Sequence, residues 1–294
     1  MKPWLKTLLK LAVTALAFYL VFRQISWTEL RKTLSDINPL WFAAAFILYN
    51  LSQVLSSRRL LGFYHNLGLP IGFRQNLAVY YRAMFYGLFL PGGVSGDAYK
   101  VMTYQKQYQQ PYRNLIVATL SDRVTGLAML MTILGILVIT VDRYLPIPIK
   151  AWPWILAAAI GIGWLIVYGV GRRFAPVHRP QIPKAALQSA GVQVLQLLAF
   201  CCILEGMAIP PGEWTRYAVL FYSGSILSSL PVSMGGMGMR EWAMVTGSGL
   251  FGLASAPAFA ASFSFFLVSS FSALAGAAVR IPEGNPSQKP DAAS

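Results

Sequence analysis

Charged side chains within apolar stretches are the first candidates for chemistry in this sequence. Those so placed are Arg82, Asp97, Asp122, Arg123, Glu205, Arg240 and Glu241. An ionisable group at the middle of a bilayer costs about 2.5–3.5 kcal/mol on insertion scales. We therefore expect these groups to pair inside a helix bundle and to mark a functional site. Glu205, near the end of its stretch, could instead reach the interface.

The segment 90–100, LPGGVSGDAYK, combines a helix break with an acid and a cation. Pro91 predicts the end of one helix, and Asp97 is placed to cap a second helix that begins near Ala98. The glycines around this break permit tight turns and close backbone approach. They are Gly92, Gly93 and Gly96. With Lys100 in the first helical turn, free amides, the helix dipole and an ammonium group suit a phosphate. A capped interfacial turn is the alternative.

The segment 230–241, LPVSMGGMGMRE, repeats this pattern. A break at Pro231 precedes a glycine cluster, then a cation and an acid at a predicted helix start. The glycines are Gly235, Gly236 and Gly238. Arg240 could bind a phosphate through two parallel hydrogen bonds, and Glu241 could pair with an arginine or carry a proton. The spacing fits neither the Walker pattern nor the dinucleotide fingerprint.

Asp122 and Arg123 are adjacent within a long apolar stretch. Neighbouring residues on a helix point in different directions, so we expect each to face a separate partner, plausibly the two glycine-rich segments. Arg123 and Arg82 are the arginines with which Glu241 could pair. Gly126 would let a neighbouring helix come close. A purely structural ion pair between helices is the alternative.

The composition is that of a membrane protein. Apolar residues make up 56% and charged residues 12% of the 294 residues, whereas a soluble domain has about 25% charged residues. The net charge of +14 therefore indicates contact with anionic lipid headgroups rather than with nucleic acid. Cys201 and Cys202 lack redox or zinc spacing, and His65 and His178 lie in polar connectors, so we expect no metal and no cofactor.

The fold class that follows is all-α and polytopic, with six spans and two broken or re-entrant helices. The predicted spans are residues 5–22, 40–56, 114–141, 152–171, 186–209 and 256–279. The broken segments are residues 77–95 and 217–239, each ending in Leu-Pro and glycines. Residues 281–294 are polar and predict a disordered cytoplasmic tail.

The distribution of basic residues predicts that both termini are cytoplasmic. With two re-entrant segments, 15 lysines and arginines fall on the cytoplasmic side and 6 on the outside. If both segments cross fully, the ratio is 11 to 10. The positive-inside rule thus favours the re-entrant arrangement, and eight full spans are the alternative.

The order of elements predicts an inverted repeat. Residues 1–141 and 152–279 each give span, span, broken segment and span, and three crossings place the two halves in opposite orientations. Broken segments at corresponding positions of two halves are typical of a transporter's substrate site. Packing kinks without a site are the alternative.

Three segments resemble signatures of the flippase-like family that shares the transmembrane region of the lysylphosphatidylglycerol synthases. They are PGGVSGDAYK at 91–100, SDRVTGL at 121–127 and LPVSMGGMGMREW at 230–242. The resemblance spans nearly the whole chain and implies a stand-alone member in the bacterial inner membrane that moves an anionic or zwitterionic lipid between leaflets. Lys100 stands where the family more often has arginine. The synthases' aminoacyl-transferase domain is not seen in this sequence, so we expect no lipid aminoacylation.

The leading functional prediction is a non-enzymatic flippase for phospholipids or polyprenyl-phosphate-linked lipids. One alternative is a membrane-embedded transferase or hydrolase that uses Asp97, Asp122 and Glu241 as acids, bases or metal ligands. Another is a non-catalytic protein that presents lipid to a synthase or glycosyltransferase partner. The sequence leaves the headgroup, the energy source and the oligomeric state open.

Overall fold

The computed structural model describes residues 28, 38–89, 95–141, 152–229 and 238–281, and these ranges contain helices and no strand. The helices, numbered within these ranges, are α1 Pro39–His65, α2 Phe73–Phe89, α3 Ser95–Tyr108, α4 Tyr112–Thr140, α5 Trp152–Phe174, α6 Ile182–Gly206, α7 Trp214–Ser229, α8 Met239–Ser248 and α9 Ser255–Ala278. Short 3₁₀ turns cover Pro176–Gln181, Pro211–Glu213 and Gly249–Phe251. The chain is therefore an all-α protein through its described part.

Five helical stretches are long and apolar enough to cross a membrane. They are Pro39–His65, Tyr112–Thr140, Trp154–Arg173, Pro176–Gly206 and Ser255–Ala278. They coincide with five of the six predicted spans, and the predicted span 5–22 lies outside the described residues. The first of them continues past its predicted end at residue 56, so Arg59 lies inside the helix rather than in a connector.

Each predicted broken segment has a helix on either side of its Leu-Pro-Gly stretch. α2 and α3 have 17 and 14 residues and flank residues 90–94. α7 and α8 have 16 and 10 residues and flank residues 230–237. The two flanked stretches lie outside the described residues. Each of the four helices is shorter than the roughly 20 residues that cross a bilayer.

The antiparallel pair α1 and α6 forms the largest helix contact of the described bundle. At one end the Asn38 amide donates to the Gly206 carbonyl over 2.9 Å, and at the other the Gln181 side chain lies against Gly62. The buried residues along this contact include small ones such as Ser52. Small side chains let helices approach closely where the hydrophobic effect does not drive association.

The other helices pack around this pair. α2 contacts α9 and α4 contacts α7; α2 also contacts α3, and α7 contacts α8. Where α9 meets α2, a Cβ at Gly276 would overlap the Tyr81 carbonyl, so only glycine fits this contact. Asn50 of α1 donates to the Ser272 hydroxyl over 2.9 Å and accepts from the Tyr81 hydroxyl over 2.7 Å, which ties three helices together. α5 packs mainly on α4.

Candidate functional site

The start of α8 is fixed by a glycine and a glutamate. Gly238 has a φ of +82°, a left-handed conformation that glycine adopts without strain. Its amide donates to Glu241 Oε2 over 3.0 Å, and the Ser262 hydroxyl of α9 donates to Oε1 over 3.0 Å. Both oxygens of this buried carboxylate are thus used by neutral donors. Glu241 pairs with neither Arg123 nor Arg82, contrary to those two sequence alternatives.

Arg240 is held by packing rather than by a close acid. Its Nε lies 3.8 Å from Glu241 Oε1 and has no hydrogen-bond partner among the described residues. The guanidinium carbon is 4.9 Å from the centre of the Phe265 ring. A Cβ at Gly224 of α7 would lie 2.8 Å from Arg240 Cγ, so a glycine here makes room for the arginine. The side chain is 13% exposed.

Arg240 lines a polar cavity of about 290 Å³. The cavity's other polar side chains are Gln196, Ser225, Ser228, Ser229, Ser269 and Tyr49, and its apolar ones are Leu88, Leu130, Phe265 and Phe266. Leu88 belongs to the last turn of α2 and Ser229 to the last turn of α7. Both helices that precede a Leu-Pro-Gly stretch therefore end at this cavity. A buried cation among hydroxyl and amide groups suits an anionic group with oxygen acceptors.

The start of α3 has the same residue types in a different arrangement. Asp97 binds Lys100 over 2.6 Å and also pairs with Arg123 of α4. The helix begins at Ser95, so Asp97 lies in its first turn and is not the cap that the sequence predicted. A Cβ at Gly96 would lie 2.5 Å from the Ala83 carbonyl, which confirms the close backbone approach expected of this glycine.

Asp97 lines a cavity of its own. This cavity, about 330 Å³ and mostly apolar, lies between α3 and α4. Among the charged residues expected to mark one functional site, Arg240 lines the polar cavity, whereas Lys100 and Arg123 meet at Asp97. The structure thus separates the predicted cations into groups rather than placing them around one space.

A third group is a buried ion pair that the sequence analysis missed. Arg59 of α1 binds Asp122 through two hydrogen bonds, Nε to Oδ1 over 2.7 Å and Nη2 to Oδ2 over 3.0 Å. Its Nη1 donates to the Ser189 hydroxyl of α6 over 2.9 Å. A Cβ at Gly126 would lie 3.0 Å from Nη1, so this glycine does admit a neighbour, as predicted. Asp122 therefore faces α1 rather than a glycine-rich segment.

A helical pattern could have revealed Arg59. Ser52, Ser56 and Arg59 follow one another at helical spacing, and all three are buried against neighbouring helices. The same face continues past residue 56, where the apolar run becomes polar. The predicted span ended at residue 56, which placed both Arg58 and Arg59 in a connector, although of these two only Arg58 is exposed.

The remaining predicted residues have simpler outcomes. Arg82 is partly exposed on α2 and has no ion pair with another described residue. Glu205 is exposed near the end of α6, consistent with the interface alternative. The site residues Pro91, Gly92, Gly93, Pro231, Gly235 and Gly236 lie outside the described residues. Their roles stay predictions.

Comparison with known proteins identifies the family. No curated protein matches the chain. The family described as the lysylphosphatidylglycerol synthase TM region matches residues 7–276, which is most of the chain. With its apolar helices, this match makes the chain a multi-pass membrane protein and confirms the resemblance carried by the three sequence signatures. The protein belongs to the lysylphosphatidylglycerol synthase TM region family.

Proposed function

We propose that this protein moves a lipid with an anionic or zwitterionic phosphate headgroup between membrane leaflets. The observation that carries the proposal is Arg240, a largely buried guanidinium that lines a polar cavity. Glu241 lies 3.8 Å from its Nε, and both oxygens of that carboxylate already accept from neutral donors. A charge at membrane depth that lacks a direct hydrogen bond to its counter-charge is costly, so such a residue is expected to find a closer anionic partner in a ligand. A phospholipid or a polyprenyl-phosphate-linked lipid would supply that charge.

The geometry around Arg240 favours a phosphate over a simple anion. The planar guanidinium can donate two parallel hydrogen bonds to phosphate oxygens. The hydroxyls of Ser225, Ser228 and Ser269 line the same space. Each donates to a backbone carbonyl of its own helix, and each could donate to a phosphate oxygen by rotating away from that carbonyl. Leu88 and Phe266 offer apolar surface beside them, where the first carbons of a lipid chain could lie.

The helix contacts support an inverted repeat as the transport architecture. If α1, α2, α3 and α4 are exchanged with α6, α7, α8 and α9, the pairs of contacting helices map onto one another. The contact of α2 with α9 becomes that of α7 with α4, and the contact of α1 with α6 maps onto itself. Repeats with broken helices at their interface place the substrate site of many transporters there.

We also propose in which membrane the protein lies and on which side its termini are. The family resemblance implies the bacterial inner membrane, and the charge distribution favours both termini in the cytoplasm. Among the described residues, Arg172, Arg173 and Arg179 are exposed at the connector between α5 and α6. Gln181 beside Gly62 brings the end of α1 to the same place, so these three arginines and the end of α1 lie at one end of the bundle.

The contacts of the acids favour transport over the enzymatic alternative. Asp97 and Asp122 are each bound by arginine or lysine, and Glu241 is bound by an amide and a hydroxyl. The described residues contain no group of three His, Cys, Asp or Glu side chains that could hold a metal ion. The experiment below uses the purified protein alone, so it distinguishes transport from a role in presenting lipid to a synthase or glycosyltransferase.

The test is leaflet exchange of a fluorescent phospholipid in liposomes with purified protein, read with a quencher that does not cross the membrane. Arg240→Ala should abolish exchange, and Arg240→Lys should restore only part of it because the fork of donors is lost. Arg58→Ala removes an exposed arginine and should leave exchange unchanged. Full activity of folded Arg240→Ala would refute the role of this arginine. Exchange only after addition of a partner protein would favour the presenting role.

A further inference from the structure

A long groove runs between α4 and α5, apart from the Arg240 cavity. It consists of two adjoining cavities of about 390 and 200 Å³ that share Val124 and Val167. Along α4 it extends from Val117 to Thr132, which is about 22 Å at 1.5 Å per residue. One leaflet of the hydrocarbon core is about 15 Å thick. The groove is mostly apolar and long enough for the acyl chain of a lipid.

One end of the groove holds a buried histidine with unused polar atoms. His178 lies in the 3₁₀ turn after α5, lines the larger cavity and is 1% exposed. Its ring packs edge-on against Phe63 of α1, with 5.6 Å between ring centres. Neither ring nitrogen has a hydrogen-bond partner among the described residues. A buried donor without a partner costs about 1–3 kcal/mol, so its retention points to a ligand.

The charges around the His178 end of the groove indicate that the ligand is anionic. Exposed basic residues lie at the end of α5, in the 3₁₀ turn and at the start of α6, and they are Arg172, Arg173, Arg179 and Lys184. Basic residues at a membrane surface attract anionic lipids. An imidazole N–H can donate to a phosphate oxygen, and the groove beyond it can receive a chain.

We propose that the α4–α5 groove is a second lipid site, for an anionic glycerophospholipid of the surrounding leaflet. One acyl chain lies between α4 and α5, and the phosphate accepts a hydrogen bond from His178. The groove and the Arg240 cavity have no lining residue in common. This site therefore does not depend on lipid exchange at Arg240, and it can be tested by binding alone.

Trp164 reports on the groove directly. It lines the smaller cavity, and its indole Nε1 donates to the Thr132 hydroxyl over 3.0 Å, which fixes the ring against α4. The full chain is reconstituted in phosphatidylcholine vesicles that contain increasing fractions of brominated phosphatidylglycerol or brominated phosphatidylcholine. Bromine quenches tryptophan at short range, and the difference from Trp164→Phe isolates this one emission.

Half-maximal quenching of Trp164 should need an about fivefold lower fraction of the brominated anionic lipid, the ratio expected of one charge contact near a membrane surface. His178→Ala should raise the fraction of either lipid that half-maximal quenching needs, because both lipids carry the phosphate that accepts from the imidazole. His65→Ala is the matched control, because His65 is an exposed histidine at the end of α1 and its replacement should leave both fractions unchanged. Gly163→Leu should reduce quenching by both lipids, because a side chain at this position enters the groove without meeting another atom within 4 Å.

Equal quenching by the two lipids in the unaltered protein would overturn the proposal, since it would mean ordinary boundary lipid. Half-maximal quenching at unchanged fractions of both lipids in His178→Ala would overturn the role of the histidine. If His178→Ala does not fold, Gly163→Leu decides: quenching unchanged by this substitution would show that no lipid occupies the groove.

Discussion

α3 and α8 each have one acid and one cation near their starts, but the acids bind different partners. Asp97 binds two cations, Lys100 and Arg123. Glu241 binds two neutral donors, a backbone amide and a serine hydroxyl, and its own neighbour Arg240 stays 3.8 Å away. The comparison shows that residue types alone do not define a binding site here. The direction of the carboxylate oxygens decides whether the cation is neutralised or free to meet a ligand.

The same comparison assigns different roles to the two halves of the chain. In the first half, the Asp97 cluster joins α3 to α4, and the Arg59–Asp122 pair joins α1 to α4. These contacts hold helices together. In the second half, the capped start of α8 presents a cation to a cavity. We therefore expect substitutions of charge in the first half to affect stability, and substitutions around Arg240 to affect transport.

The largest effect is expected from Asp122→Ala. Breaking a buried pair from one side costs about 3–5 kcal/mol, because Arg59 would stay buried with its charge unpaired. The measurement is the free energy of unfolding in mixed micelles. Arg58→Ala, at an exposed neighbouring position, should change it by less than about 0.5 kcal/mol. If the two variants unfold alike, the pair does not hold α1 against α4.

Asp97→Asn should have the next largest effect. The change removes the charge that holds both Lys100 and Arg123, and hydrogen bonds to charged groups contribute about 1.5–3 kcal/mol. We expect the lower end of this range, because the Arg123 side chain is 41% exposed and partly screened by water. The free energy of unfolding measures it, and folded Asp97→Asn should still exchange lipid. Loss of exchange without loss of stability would place the transport site at α3 instead.

Much of the fold was predictable from the sequence because apolar length and helix breakers act locally. Five helical stretches overlap predicted spans, although the first ends nine residues later than predicted and the fourth begins ten residues earlier. The helices also end close to Pro91 and Pro231, where proline and glycine predict a break. Where an apolar helix begins or breaks depends on the local sequence and not on which helices pack against it.

The partners of the charged groups were not predictable, because pairing depends on how helices pack. Nothing near Asp122 in the sequence points to Arg59, which is 63 residues away and bonds to it across a helix contact. The orientation of Glu241 likewise depends on Ser262 of α9. The sequence indicated which residues are buried but not which of them remain without a counter-charge.

Gly224→Ala tests whether the position of Arg240 matters, because it should displace this side chain without changing any charge. The new Cβ would lie 2.8 Å from Arg240 Cγ and 3.2 Å from its Cα, so α8 must shift relative to α7. Overpacking of this kind costs about 1–3 kcal/mol of stability, and displacement of the guanidinium should reduce lipid exchange. Gly249→Ala is the matched control, since a Cβ there meets nothing within 4 Å. Equal exchange by the two variants would mean that the position of Arg240 is unimportant.

The smallest effect on stability is expected from Glu241→Gln, which repeats at α8 the acid-to-amide change of Asp97→Asn. The glutamine oxygen can still accept from the Gly238 amide, and its amino group can donate to the Ser262 hydroxyl in place of the present bond. The loss should be about 0.3–1 kcal/mol, from the missing negative charge at the helix start. The free energy of unfolding should therefore fall less than in Asp97→Asn.

Glu241→Gln should increase lipid exchange although it lowers stability. Without the carboxylate at 3.8 Å, Arg240 presents a stronger positive potential to the cavity. Glu241→Gln should therefore exchange anionic phospholipid at lower lipid concentration than the unaltered protein, whereas a zwitterionic lipid should gain less because its amine is repelled. Both lipids are compared in the same liposome assay. If Glu241→Gln instead loses stability as Asp97→Asn does and exchanges neither lipid, then Glu241 supports Arg240 as an ion-pair partner, and the two helix starts do not differ in the way inferred here.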